Sequence, residues 1–543
     1  MPTVAQIFAH TLKEIGVRFV FGVPSGNMID YIEALHTESE IEFVLTAHES
    51  TAAIMADVCG RLTGVPGVCF ATFGPGATNL STGVGEALLD RSPLIAFTDE
   101  MPDHLLNRSV QMNINHQQLF FPITKWTTRL NAQNIQEIIL KGVGIAGAEV
   151  PGPVHIGIPA GIGRQKGGET KTTIDYLRLE KKLWSPLVEG QIFKIERLLQ
   201  KSKKPILAVG LSAIKAGIKD VLIQLAEKFQ IPIVLTPMAK GLFPEDHPLY
   251  AGVLFHALSD LVAETYREAD LVVGIGYDTV EFNYEQWMPN VPLIHFNSKE
   301  ADVDTSQIPE VLNVIGNLEN SLAEMLGMKM SVKSWDLEKL RRRRRRIFQK
   351  LTPEPETFGP LAVIDELRKF LPEEGILTVD VGAHLHLIGQ QWQTPEPQKL
   401  LITNGWSGMG FAIPAAMSAK LCHPGLPVVA LMGDGGFLMM AGELAAAKRL
   451  NLKIVFVVIY DNSLSLIRIK QEKKNFDKHY GTDLNVLTKE PTNHYFGVPV
   501  IRVANYDSYR KELAKAFSIN GPVVIEAVVD SSEYDALVLR PNK

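Results

Sequence analysis

The chain has 543 residues, enough at roughly 100–200 residues per domain for about three domains. Hydrophobic residues make up 46% and charged residues 21%, which excludes a disordered or fibrous chain and allows a substantial core. A net charge of −6 gives no basic field for nucleic acid, and three cysteines, Cys59, Cys69 and Cys422, have neither metal spacing nor the even number of a disulfide framework, as suits a reducing compartment.

The N-terminus, MPTVAQIFAHTLKEIGV, shows no secretory signal. The longest charge-free stretch, Leu62 to Gly85, carries six glycines and two prolines and reads as strand, loop and helix rather than a membrane span. The expectation is a cytoplasmic protein with neither a membrane nor a nucleic-acid partner. In chain order, Val4–Ile15 has helical spacing, Phe19–Val23 reads as a strand ending in a Pro-Ser-Gly-Asn turn, and Asn27–Leu35 as a helix. Ile41–Leu45 reads as a second strand, Thr51–Leu62 as an Ala-rich helix, Gly67–Phe73 as a third strand and Pro151–Pro159 as the last of this unit. Strands alternating with helices across short Gly/Pro turns predict a parallel sheet covered on both faces. A Lys-rich stretch from Gly163 to about Lys182 reads as a linker.

A second unit places strands at Ile206–Val209, Ile233–Leu235, Leu271–Ile275 and Leu293–Phe296. A helix-like stretch, Asp336–Lys350, then carries six consecutive arginines, Arg341–Arg346. It reads as a solvated interdomain helix paired with nearby acids, the alternative being a site for an anionic partner or a nucleotide effector. A third unit starts near Pro360, with strands at Ile376–Val379, Val428–Met432 and Ile454–Ile459. The first and third units echo each other: VCFATFGPGATN and VVALMGDGGFLM are both an apolar strand, a Gly-rich turn and a helix start. The predicted fold is therefore α/β, three doubly wound parallel-sheet domains at 1–165, 190–330 and 356–543.

The strongest chemical signal is Gly433-Asp434-Gly435-Gly436, with Asn462 following 28 residues after the aspartate. Asp434 falls just past a buried strand, at the sheet end where α/β proteins bind ligands. The glycines let backbone approach a phosphate, and the helix read from Phe437 to Leu450 points its N-terminus at that anion. The adjacent strand delivers Asn462 to the same sheet end. One carboxylate and one amide oxygen suit a hard cation such as Mg²⁺, which keeps phosphate oxygens and water as further ligands. The plainer alternative is a Gly-rich turn with a capping aspartate.

GDGG with a downstream Asn resembles the diphosphate–Mg²⁺ motif of thiamine-diphosphate enzymes. FGVPSGN (Phe21–Asn27), AHES (Ala47–Ser50), FGPGATN (Phe73–Asn79), GEALLDRSPLIAFT (Gly85–Thr98) and PITKW (Pro122–Trp126) resemble the pyrimidine-binding domain of the acetolactate synthase branch, and NGWSGMGFAIPAA (Asn404–Ala416) resembles the stretch before its GDG motif. The resemblance implies that 1–165 binds the pyrimidine, that 190–330 is a central domain and that 356–543 binds the diphosphate and Mg²⁺.

It also implies roles. Glu49 matches the glutamate that hydrogen-bonds N1′ of the aminopyrimidine, with Pro24 and Asn79 in the motifs around it. Met409 matches the bulky residue that buttresses the bent cofactor, and Gly408 would present backbone to the pyrimidine. His384 matches a diphosphate-contacting histidine, with His386 as the alternative, and His48 is read as structural. The metal ligands would be Asp434, Asn462 and the carbonyl of Leu464, with Gly435 and Gly436 against the diphosphate. Because such enzymes build each site from two chains, a homodimer or homotetramer is expected.

The resemblance also bears on the outcome. Phe73 and Gln111 stand where acetolactate synthases carry the same residues and simple decarboxylases carry proton-donating histidines. A dry pocket favours carboligation to a second carbonyl. A 2-oxo acid decarboxylase releasing aldehyde is the alternative, with His116 as the candidate proton donor, and a non-catalytic cofactor-binding homologue is the other. GIGYDTVEFNYEQW (Gly274–Trp287) resembles the FAD-free catabolic type, and no glycine fingerprint for a dinucleotide opens that segment, so FAD is not expected. The donor expected first is pyruvate.

Overall fold

A computed structural model describes residues 1–37, 40–168, 187–476, 479–485 and 492–538. Three sheets follow one another along the chain. The first takes β1 (Phe19–Gly22), β2 (Glu42–Leu45), β3 (Gly67–Ala71), β4 (Leu94–Glu100), β5 (Trp126–Arg129) and β6 (Pro153–Pro159), in the order β2-β1-β3-β4-β6-β5. The second takes β7 (Pro205–Val209), β8 (Ile233–Leu235), β9 (Tyr250–Val253), β10 (Leu271–Ile275), β11 (Leu293–Asn297) and β12 (Val311–Ile315), in the order β12-β11-β10-β7-β8-β9. The third takes β13 (Ile376–Val379), β14 (Leu400–Leu401), β15 (Val428–Gly433), β16 (Ile454–Tyr460), β17 (His494–Tyr495), β18 (Val498–Val503) and β19 (Val523–Val528), in the order β14-β13-β15-β16-β19-β18-β17. Among the described residues, every pairing between these strands is parallel except the short β17–β18 ribbon. The central strands β3, β4, β15 and β16 are buried almost throughout, as parallel strands covered by helices on both faces must be.

The outer sheets pack against each other. Helix 49–63 lies on helix 412–422, and one apolar cluster runs through both domains, from Met55 and Leu80 to Met417 and Phe456. Polar ties fix the orientation. Asp90 accepts from the amides of Asn404 and Gly405, Arg61 donates to the carbonyl of Ile402, and Ser418 donates to that of Met55.

Some elements differ from the sequence reading. The helix expected over Phe437–Leu450 begins at Asp434 and is broken by a 3₁₀ turn at Ala441–Glu443, around Gly442. The start of the expected linker is docked on the first helix, with Val4 N–H donating to Gln165 O at 3.0 Å and Ala5 N–H to Gly163 O at 3.0 Å; its continuation over 169–186 lies outside the described residues. The arginine run occupies helix Leu337–Lys350, where Arg343 turns inward to Glu264 and Glu268, Arg346 pairs with Glu264, and Arg341 pairs with Glu338. In the middle domain Tyr277, Phe282, Tyr284 and Trp287 are all buried, and Tyr277 and Tyr284 stack with centroids 4.0 Å apart. Among the described residues, no helix is long and apolar enough to cross a membrane.

Candidate active site

The N-terminal half is built at strand ends. Pro24 follows β1, Glu49 follows β2 and Phe73 follows β3, so the strand order gathers them at one sheet edge, around the reversal between β1 and β3. Glu49 is the first residue of its helix and is half-buried. His48 caps that helix, its Nδ1 accepting from Ser50 N–H at 3.2 Å. Asn79, from helix 75–89, donates Nδ2–H to Glu49 Oε2 at 3.0 Å. Pro24 is exposed, and the neighbouring Ser25 donates to Asp99 at 2.7 Å. Phe73 is half-buried, and Gln111 lies exposed in a loop that packs on Gly74, where a Cβ would stand 2.6 Å from Met112 O.

The C-terminal half sits at the corresponding reversal, between β13 and β15. Asp434 opens its helix. Its Oδ1 accepts from Gly435 N–H at 2.8 Å and its Oδ2 from Asn462 N–H at 2.6 Å, which locks the ends of β15 and β16 together. Burial, with the nearby Asp461 carboxylate, pushes Asp434 up to about 7, a range in which a cation would draw it into the ionised form. Asn462 takes a left-handed φ of +64°, and its loop is pinned by Leu464 N–H to Thr482 O at 2.8 Å and Leu484 N–H to Asn462 O at 3.0 Å. The carbonyl of Leu464 accepts from the amides of Ile467 and Arg468, at 2.9 and 3.0 Å, as the cap of helix Ser465–Lys473.

At both glycines after Asp434 a side chain would crowd its neighbours. A Cβ on Gly435 would stand 2.7 Å from Leu464 and 3.1 Å from Met409, and one on Gly436 would stand 2.7 Å from the Asp380 carboxyl. Met409 is thereby placed beside the motif. Gly408 lies next to Trp406 and Glu86, and Glu86 is buried with neither carboxylate oxygen hydrogen-bonded. His384 and His386 diverge. The His384 ring lies beside Gly433, with a buried Nε2 that has no hydrogen-bond partner, whereas the His386 ring packs 5.5 Å from His256 of the central domain. Burial lowers His384 to about 4.

Two acids missing from the motif reading complete the support, one from within its own domain and one from across the two domains. Asp380, directly after β13, accepts from Gly410 N–H at 2.9 Å and so holds the Met409 loop. An acid at a strand end was its visible signal. Glu443 is 1% exposed and reaches from the C-terminal domain into the N-terminal half. It accepts from Ala47 N–H and His48 N–H, each at 3.0 Å, immediately before Glu49. No local pattern marks it, because its partners lie about 400 positions away.

Fold and site together define an α/β enzyme class with two sheet-end half-sites, one offering a carboxylate–amide pair at a Gly-rich helix start and the other a lone glutamate. Three family models match the chain: thiamine pyrophosphate enzyme, N-terminal TPP binding domain, over residues 2–119; central domain, over 192–325; and C-terminal TPP binding domain, over 380–527. The chain belongs to the thiamine pyrophosphate enzymes. Among its relatives is an acetolactate synthase of Arthrospira platensis, 30% identical over 98% of this chain and 95% of that protein. The acetolactate synthase of Bacillus subtilis is 29% identical over 97% of this chain and 93% of that protein. A probable acetolactate synthase large subunit of Methanocaldococcus jannaschii is 29% identical over 97% and 92%.

Proposed function

We propose that this chain is a thiamine-diphosphate- and Mg²⁺-dependent enzyme that decarboxylates pyruvate and joins the remaining two-carbon unit to a second pyruvate, giving 2-acetolactate and CO₂. The carrying observation is the Asp434–Asn462 clasp at the start of a glycine-opened helix, in a chain whose nearly full-length relatives bear the acetolactate synthase name.

The C-terminal half suits a diphosphate and a cation. Gly435 and Gly436 leave a cradle that a Cβ would fill, Asp434 keeps lone pairs beyond its two amide bonds, and the orphaned His384 Nε2 stands beside the turn. Asp434, Asn462 and the Leu464 carbonyl would hold the cation, the last sharing its oxygen with two helical amides. Met409 and the Gly408 backbone would flank the pyrimidine, and Glu49, steadied by Asn79, would bond its ring nitrogen. The bound cofactor supplies the electron sink that lets CO₂ leave. Phe73 and Gln111 would face the second substrate and exclude water.

The enzyme would be a homodimer or homotetramer acting in the cytoplasm, with Glu49 of one chain meeting Asp434 of another. Exposed apolar side chains near both halves support this: Ile114 and Phe121 beside the N-terminal loop, Leu438 and Met439 beside Asp434. Flavin would have no role, since the joining is redox-neutral and the middle-domain aromatics pack on one another.

The test is product analysis with purified protein, pyruvate, Mg²⁺ and thiamine diphosphate. Acetolactate as the main product, an oligomer in sedimentation and a colourless protein active without FAD are expected. Acetaldehyde alone, or a fully active monomer, would refute the corresponding part.

A further inference from the structure

Beneath the Phe73 turn lies a buried polar chain that the motif reading does not use. Gly74 N–H donates to His116 Nε2 at 3.2 Å, and His116 Nδ1 lies 2.8 Å from Thr98 Oγ1. Thr98 Oγ1 is also 2.8 Å from His155 Nε2, and His155 Nδ1 is 2.7 Å from Thr127 Oγ1. Thr127 donates to Gln117 Oε1 at 2.8 Å, and Gln117 Nε2–H donates to Glu100 at 2.6 Å. Glu100 ends the chain in an ion pair with Arg129.

The donors and acceptors admit one consistent direction. An amide can only donate, so His116 Nε2 is bare and its proton sits on Nδ1, pointing to Thr98. The Thr98 hydroxyl then donates to His155 Nε2, and the single ring N–H of His155, on Nδ1, points to Thr127. The sequence ends on a carboxylate, which only accepts. Glu100, His116 and His155 could be taken for a metal cluster, their candidate ligand atoms lying within 4.8 Å of one another, but both ring nitrogens of each histidine already have partners.

What the chain holds is the pocket wall. Gly74 has φ +66° and presses on Met112, which itself takes a left-handed φ of +62°. Asn113 Nδ2 ties the same loop to the carbonyls of Leu106 and Arg108, at 2.9 and 2.8 Å. The Phe73–Gly74 turn and the Gln111–Met112 loop are thus one clasped unit, tethered from below by a neutral imidazole that is 2% exposed.

We propose that His116 is a positioning residue: its bare Nε2, oriented through Thr98, His155, Thr127, Gln117 and Glu100, fixes the Phe73 turn against the Gln111 loop and so keeps water from the reacting centre. It is not a proton donor, because protonating Nε2 would set N–H against the Gly74 N–H. The inference rests on the proposed pocket roles of Phe73 and Gln111.

The test uses the full-length enzyme and three variants. His116→Phe removes the acceptor, Thr98→Val removes only the hydroxyl that orients it and serves if the first does not fold, and His116→Gln retains an acceptor. Amide hydrogen exchange is followed in peptides covering 73–78, 110–115 and 434–464, together with the acetolactate-to-acetaldehyde ratio from pyruvate. In His116→Phe or Thr98→Val the first two segments should exchange about tenfold faster, the scale of one lost hydrogen bond, while 434–464 stays unchanged. The acetaldehyde share should rise several-fold, and His116→Gln should fall between. Unchanged exchange in 73–78 overturns the tether. Loss of acetaldehyde in the variants would make His116 a donor and also overturns it. Faster exchange in a protein whose wild type makes no acetolactate would leave the tether standing and sink the proposed function instead.

Discussion

The first and third sheets use the same device and arm it differently. In each, an almost wholly buried central strand, β3 or β15, runs into a Gly-rich turn at the point where strand order reverses, and a helix starts there. The N-terminal turn, Thr72-Phe73-Gly74, carries no ionisable group and is held from below by a neutral histidine. The C-terminal turn places Asp434 as the first helical residue, held from the side by a neighbouring strand end. The following helices differ too: Pro75–Leu89 runs fifteen residues, whereas the C-terminal one breaks after Met440 so that Glu443 can reach the Glu49 segment. A shared scaffold thus fixes where ligands meet the sheet, and the residue beside the glycine, Phe73 before Gly74 or Asp434 after Gly433, decides whether the turn offers a wall or a cation ligand.

If that division holds, damage to the two halves separates into rate and retention. Glu49→Gln should slow turnover by about 10²–10⁴, the scale of lost general acid–base help. It should leave Mg²⁺ and diphosphate affinity near normal, as read by steady-state kinetics beside cofactor titration. Near-normal turnover would end the assignment. Asp434→Ala should do the reverse. It removes the carboxylate of the cation site, so Mg²⁺-dependent cofactor affinity should fall by at least about tenfold, as for other losses at metal sites. Saturating cofactor should recover part of the rate. An unchanged titration curve would make Asp434 a helix cap and nothing more.

The connection between the halves is a smaller target. Glu443 satisfies two backbone amides next to Glu49 from another domain, and burial raises its pKa against the pull of those amides. Glu443→Ala leaves both donors bare, so Glu49 should lose its alignment and kcat should fall about tenfold, on the scale of a lost hydrogen bond to a charged group. Cofactor affinity should hold, and Glu443→Gln, which keeps one accepting oxygen, should recover much of the rate. Equal losses in both variants would point to the charge rather than the alignment.

How much of this was legible in the sequence follows from how local each signal is. β8, β10 and β13 are short apolar runs between turn residues, and the structure keeps those limits. β5, WTTR, lies at a sheet edge and is only half-buried, so no apolar run announced it; β12, VLNVI, is an edge strand too, mostly half-buried, and is not among the expected strands. β4 is fully buried but ends in Thr98-Asp99-Glu100, polar residues whose burial depends on Ser25, His116 and Gln117 from elsewhere. Site residues divide the same way. Glu49, Asp434 and Asn462 are strand-end residues inside short motifs. Glu443 and the His116 chain emerge only once distant segments are packed together.

The smallest expected effect separates the two halves by pH. Burial, with Arg129 nearby, lowers His116 to about 4, and burial drives His155 down as well, with His116 adding to it. A histidine whose folded pKa lies below its unfolded value near 6.5 lends its full support above that value and loses it as pH falls toward the folded pKa. Asp434 and Asp380 have the opposite sign. Raised to about 7 and about 6 mainly by burial, they favour the fold fully below the unfolded carboxylate range near 4, and that share is lost as pH rises through 6 and 7. Acidifying the metal-free protein from pH 7 to 5 should therefore loosen the N-terminal turn while tightening the C-terminal one. After correction for intrinsic exchange, residues 73–78 should lose amide protection and 434–440 should gain it. His116→Gln removes one of the two histidines from the balance, so its apparent unfolding midpoint should fall less steeply between pH 6.5 and 5. The difference has a ceiling of about 1.4 kcal/mol per pH unit for one proton. An identical slope in variant and wild type would mean that His116 takes up its proton in the fold without resistance, which a ring accepting a buried amide cannot do.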